Sequence, residues 1–276
     1  MAPTVEIHWG MWNTYPALTV GFPLFTLLML IINTATGGAV NKALALSPTV
    51  EPLLDLLNRL LFFQVVHKGF FHWALNMMGL FTPMMLFERT HGTVYTGITL
   101  NLLAVFCGIP YYLLGKVFYK NAAVLGLLGY VFSFFTYYCW RESRVNRVAR
   151  RYVVGSKEVE IPTAGLPVVI LLLWTAISWV FDLQTSFPGH AIAVVLGYLL
   201  GMGHMAKLYP PSTAILWIES KVSKGIDQLA PLVTYYREEV SSGNRSVDYS
   251  PIFSFDLESS AAGPGQFVTE SRVLGT

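Results

Sequence analysis

Long stretches of this chain contain no aspartate, glutamate, lysine or arginine. They cover residues 7–41, 69–87, 90–115, 121–140, 161–181 and 183–206. A helix needs about 20 residues to cross roughly 30 Å of hydrocarbon, and each run comes close to or exceeds that length. Inside lipid every backbone polar group must be satisfied internally, which leaves helices and closed barrels. Continuous apolar runs of this length predict helices, so the pattern predicts an all-α membrane protein with six spans.

Two other segments alternate rather than run. Val50 to Phe63 repeats leucines at helical spacing with sparse charges. This predicts an amphipathic helix lying in the membrane interface, with Pro52 suited to its first turn. The alternative is a simple extension of the second span. Segment 214–239 mixes apolar and charged residues in the same way. From Ser241 onward Ser, Gly, Pro and acids dominate, which predicts disorder. The expected organisation is a membrane domain over 1–206, an amphipathic interfacial segment over 207–240 and a disordered tail over 241–276.

Composition agrees with this class. The 276 residues are 54% apolar and only 12% charged, against about 25% charged in a soluble domain. The first apolar run is too long for a removable signal peptide and is expected to stay as a span. Cys107 and Cys139 both lie in apolar runs, so no disulfide framework is indicated. A net charge of +2 implies no nucleic-acid partner. Charge does give orientation. Loop 141–160 holds Arg141, Arg144, Arg147, Arg150, Arg151 and Lys157, six of the 18 basic residues. Basic loops stay cytosolic, which places both termini in the cytosol. The sequon Asn244-Arg245-Ser246 then lies on the side where it stays unmodified.

The candidate chemistry is a polar set at membrane depth, where ionisable residues are costly and are functional candidates by default. His67, His72 and Asn76 form H-x4-H-x3-N at the start of the second run, and Gly189-His190 opens the last. His72 and Asn76 are four apart and share a helix face. Two donors on one face suit an oxyanion or a peptide carbonyl. Alternating helix direction brings this set to the depth of Gly126 and Gly129 on the fourth run. The plainer alternative is that these side chains only join helices by hydrogen bonds. Three histidines also raise zinc, but no H-E-x-x-H, carboxylate or thiol completes a site, so no metal or cofactor is expected. Gly126 and Gly129 are expected to flatten one side of span four. Gly197-x3-Gly201 makes a small-residue ridge on span six that allows close helix approach.

Together these residues resemble the rhomboid family of intramembrane serine proteases. The resemblance rests on His67-x4-His72-x3-Asn76, Glu88-Arg89-Thr90-His91-Gly92, Gly126-x-x-Gly129 and Gly189-His190, in that order, over residues 15–206. The run Glu88 to Thr96, Leu114-Gly115-Lys116, Tyr235-Tyr236-Arg237 and Val273-Leu274-Gly275-Thr276 look like the fungal secretory-pathway subgroup. That subgroup implies a Golgi or endoplasmic reticulum membrane. The family implies a serine at the third position of G-x-S-G that attacks a substrate carbonyl. It makes His190 the general base, and His72 and Asn76 helpers of the oxyanion hole. Its substrates are transmembrane segments of other proteins.

At the decisive position this chain carries Leu128. Leucine has no nucleophilic atom and no proton to give His190, so the expected protein binds transmembrane clients without cleaving them. The other reading is an active Ser–His endopeptidase of which this chain is an inactivated variant. Neighbouring serines are poor substitutes. Ser133 lies about 140° around the helix, and Ser186 sits one turn before His190. In the tail, Phe267 and Leu274 have the spacing of an F-x-G-x-G-x-x-L peptide that docks on the hexameric AAA ATPase of membrane-protein extraction. Thr269 and Ser271 replace both of its glycines.

Overall fold

The computed structural model describes residues 14–119, 122–154, 157–181 and 185–245. Its first element, α1 (Ala17–Ala35), leads through a short helix α2 (Ala39–Leu44) to α3 (Leu53–Phe62). Two long helices follow, α4 (Phe70–His91) and α5 (Thr93–Phe118), separated only by Gly92. Then come α6 (Leu128–Ser143), the strands β1 (Val148–Val154) and β2 (Lys157–Pro162), α7 (Leu166–Val180) and α8 (Phe187–Gly201). The described part ends with α9 (Ser212–Leu229) and α10 (Glu238–Asn244).

Among the described residues, four helical segments are long and apolar enough to cross a membrane: Ala17–Ala35, Phe70–His91, Thr93–Phe118 and Thr163–Val180. The last includes a 3-10 turn that leads into α7. The remaining expected spans fall on shorter helices. α6 has 16 residues and α8 has 15, about 24 and 22 Å of rise. Residues 122–127 of the fourth run are loop rather than helix, and α6 begins at Leu128. Gly126 is therefore not part of the helix it was expected to flatten.

Packing centres on α6 and α8, which make the most extensive helix contact. Glycine explains the closeness. A Cβ at Gly197 would stand 2.5 Å from Thr136 Cβ, and one at Gly201 would stand 2.8 Å from the Trp140 ring. The ridge expected on span six thus packs on α6. Ser133 on α6 donates to the Ala193 carbonyl of α8 at 2.9 Å. Phe87, Leu103, Leu127 and Phe134 are fully enclosed in the core. Leu24, Leu28 and Ile31 of α1 stay exposed along one stripe, as suits a helix face turned to lipid.

The amphipathic helix expected at 50–63 forms as α3. Leu60 is buried, while Leu53, Leu54 and Leu57 are exposed. Arg59 holds it in place, bonding Asp55 at 3.0 Å and the Ala45 carbonyl at 2.6 Å. Loop 141–160, by contrast, gave no sign of regular structure in the sequence reading, yet it contains the β1–β2 antiparallel hairpin.

The segment after α8 also folds more than its composition suggested. α9 buries Ile215, Glu219 and Ile226 and leaves Leu216, Trp217 and Val222 exposed. The chain then turns back onto the core. Thr234 exchanges backbone bonds with Tyr15 and Ala17, and Tyr236 accepts the Thr93 N–H and donates its own N–H to the Thr93 hydroxyl. The Tyr235 hydroxyl donates to Glu219 at 3.2 Å, and Arg237 bonds Asp227 at 2.7 Å. The boundary expected at residue 241 falls inside α10, whose Arg245 cap pairs with buried Glu238 and lies 4.3 Å over the Tyr95 ring. The remainder of the tail, with Phe267 and Leu274, lies outside the described residues.

Candidate functional site

Three backbone connections fix the loop that precedes α6. Leu46 and Val124 exchange both of their hydrogen bonds at 2.9 Å. The Tyr111 hydroxyl donates to the Ala122 carbonyl at 3.2 Å. Gly126 N–H donates to the Phe63 carbonyl at 3.0 Å. Gly126 has φ of 103°, a conformation that side chains oppose, and a Cβ there would stand 2.6 Å from His72 Cε1. Glycine at 126 therefore serves two needs, a left-handed turn and the close seat of the His72 ring.

That turn delivers Leu128 to the first position of α6. The first N–H groups of a helix have no partner within it, and the helix dipole makes this end attractive to a carbonyl oxygen or anion. A cavity of about 640 Å³ lies here, and Leu128, Gly129, His72, Gly189 and His190 all line it. Leu128 and Phe132 share a helix face, and the Phe132 ring lies 5.1 Å from the His190 ring. His190 is buried, with Nδ1 3.4 Å from the Thr185 hydroxyl. The cavity thus assembles the position of a nucleophile, an imidazole and a helix N-terminus.

The other expected residues are placed less uniformly. Asn76 is buried, but its amide nitrogen donates to the His72 carbonyl at 2.5 Å and it does not line the cavity. In this arrangement only His72 of the expected oxyanion pair faces the chamber. His67 is fully buried behind it, with its ring 5.3 Å from that of His72 in an edge-on contact. Burial, with the neighbouring His72, pushes the His67 imidazole down to about 3, against an opposing contact with the Val65 backbone. His67 supports His72 sterically. Gly189 faces Ser186 Oγ and Tyr111, where a Cβ would come to 3.2 Å of the hydroxyl.

Both neighbouring serines are engaged in hydrogen bonds. Ser133 is buried and bonded to α8. Ser186 caps α8 by accepting the Gly189 N–H at 3.2 Å, although it also lines the cavity.

The lining includes polar residues that no sequence motif marked, among them Gln64, Lys68, Tyr111, Tyr119 and Thr185. Gln64 and Lys68 flank His67 in the chain and were legible only as part of an interfacial loop. Burial lowers the Lys68 amine from its ordinary value. Thr185 lies near the start of the run 183–206, with no signal of its own.

Comparison with known proteins agrees with this geometry. A family model described as the rhomboid domain matches residues 55–207. The chain is 42% identical to a rhomboid-type serine protease 2 of Debaryomyces hansenii over 269 residues, covering 95% of this chain and 92% of that protein. It is 39% identical to the protein of the same name from Candida albicans, with the same coverage. Against that from Saccharomyces cerevisiae it is 36% identical over 245 residues, covering 86% and 87%. The matched span contains α4 to α8 and every residue of the cavity wall around Leu128 and His190, so the chain belongs to the rhomboid family, in its fungal branch.

Proposed function

We propose that this protein binds transmembrane segments of other membrane proteins in the Leu128–His190 cavity and does not cleave them. The observation that carries this reading is the cavity itself, which keeps an imidazole and a helix N-terminus around a residue that cannot attack. A carbonyl docked at the α6 N-terminus would meet the isobutyl group of Leu128 instead of a hydroxyl. With the nucleophile gone, only the residual effect of binding and oxyanion stabilisation is left. The function is then recognition, and the lipid bilayer brings the client to the site.

A second reading has its own support, since the similar fungal proteins carry the name of serine proteases. On that reading Leu128 stands where the working enzyme has serine, and His190 would act as its general base. Peptide mass measurement across residue 128 of the protein made in its own cells separates the two. A leucine mass supports the client-binding reading. A serine mass makes the native protein an endopeptidase.

The wider setting belongs to the same proposal. The protein has six spans, α6 and α8 being the short ones, with both termini in the cytosol of a Golgi or endoplasmic reticulum membrane. The basic loop between α6 and α7 supports that orientation. Phe267 and Leu274 then offer a cytosolic anchor for an AAA ATPase, which would receive the bound client. The direct test is a fluorophosphonate probe together with a transmembrane substrate. The chain as sequenced is expected to show neither labelling nor cleavage, and labelling that disappears on changing Ser186 or Ser133 would overturn the reading.

A further inference from the structure

We infer that the Gln64 amide is a peptide-backbone receptor on the wall of this cavity, facing the α6 N-terminus. Gln64 is 1% exposed, and neither its Oε1 nor its Nε2 has a hydrogen-bond partner among the described residues. Most buried polar side chains are bonded, so an amide with both ends open calls for an explanation. Gln64 lines the cavity. It faces Gly129, where a Cβ would stand 3.2 Å from Gln64 Oε1. Glycine at 129 therefore lets the amide sit close against the first turn of α6.

The chemistry of the amide identifies its ligand. A carboxamide offers an acceptor oxygen and two donor hydrogens in one plane. That set complements a peptide group, which offers one carbonyl and one N–H. Helical segments spend both groups internally, so the ligand is a stretch of client chain that is extended or unwound. Position 129 lies about 100° around the helix from position 128. A chain crossing the α6 N-terminus would then have Gln64 on one side and His190 on the other, with residue 128 between. Gln64 holds the strand in register while the residue beside it is presented to position 128. The inference deepens the client-binding reading and rests on it.

The test uses the full chain in nanodiscs and a fluorescent single-span peptide with helix-breaking residues near one end, followed by anisotropy. A second peptide replaces one backbone amide of the unwound stretch with an ester, which removes an N–H. Gln64→Leu is expected to bind the first peptide about tenfold more weakly. Its thermal midpoint without peptide is expected to stay equal or rise, because an unmet buried amide has been removed. The ester is expected to weaken binding to the parent chain and to leave Gln64→Leu unaffected, a coupling that a structural role does not produce. Equal binding by parent and variant would overturn the inference and assign the open amide atoms to buried water. A joint fall in midpoint and affinity, with the ester weakening both proteins alike, would also overturn it. Failure of the parent chain to bind any such peptide would instead remove the client-binding reading itself.

Discussion

Residue 128 stands at the first position of α6, on the wall of the cavity, held there by bonds of other residues. The loop bonds that position it run through Leu46, Val124, Phe63 and Gly126, and none involves its own side chain. Leu128→Ser should therefore place a hydroxyl at the start of α6 without rebuilding the turn. We expect it to gain fluorophosphonate labelling and to raise cleavage of a transmembrane substrate by roughly a thousandfold over the parent. Leu128→Ser combined with His190→Ala should return to the parental level, measured in the same assay. A correctly folded Leu128→Ser chain that stays inert would mean the cavity serves binding alone. Gly126 is the stricter position. Gly126→Ala meets both a disfavoured φ and the His72 ring, and should cost about 2 kcal/mol or more of stability. Thermal unfolding in detergent checks this, and an unchanged midpoint would show that the turn can relax.

Elements in this protein are joined by buried polar side chains as much as by apolar packing. Glu88, near the end of α4, is fully enclosed. Its carboxylate accepts from the backbone of Leu18 at 2.8 Å and Thr19 at 2.7 Å, and from the Thr19 and Thr93 hydroxyls. It thus caps α1 from a distance, supplying an acceptor that the cap residue Pro16 lacks. Thr93 in turn accepts the Tyr236 N–H at 3.0 Å, which ties the returning C-terminal segment to the same point. Glu88→Ala leaves several donors unmet and should destabilise by about 3 kcal/mol, with Glu88→Gln losing less. The thermal midpoints of the two variants, compared in one detergent, test the order. At the α6–α8 contact, Gly197→Leu should separate the helices and enlarge the distance between position 128 and His190. In the Leu128→Ser background it is expected to abolish labelling, and retention of full labelling would show that the contact does not set the site.

The whole molecule is a membrane core closed at one end by its own C-terminal segment. The turn at 230–237 and α10 pack against α1, α4 and α5 through Thr234, Tyr236 and Ser241, and α9 packs on α10. Two predictions belong to this scale. In sealed microsomes, protease added outside should remove the tail beyond α10, because the proposed orientation places both termini in the cytosol; survival of the tail would reverse the orientation. Truncation after Gly263 should abolish capture of the AAA ATPase and leave the midpoint of the membrane core unchanged. Equal capture by truncated and full-length chains would remove Phe267 and Leu274 from the function.

Several features were legible in the sequence because one-dimensional patterns carry them. Charge-free length marks membrane helices, leucine spacing marked α3, and the motif order singled out His72, Gly126, Gly129 and His190, which line one cavity. The rest depended on contacts between distant segments. That Gly126 is a loop turn and not part of a helix follows from its bond to Phe63 and its fit against His72. That Asn76 turns to its own helix is a choice of side-chain conformation that spacing does not encode. The hairpin at 148–162 pairs two short strands whose register depends on each other. The docking of residues 230–245 was hidden because its anchors are backbone groups and the Thr93 hydroxyl on another helix. Sequence alone determined the class of protein and the leucine at position 128, because both reside in the identity of single residues and in the length of apolar runs. Only the tertiary structure decided which polar groups face the cavity, because that is set by packing across the chain.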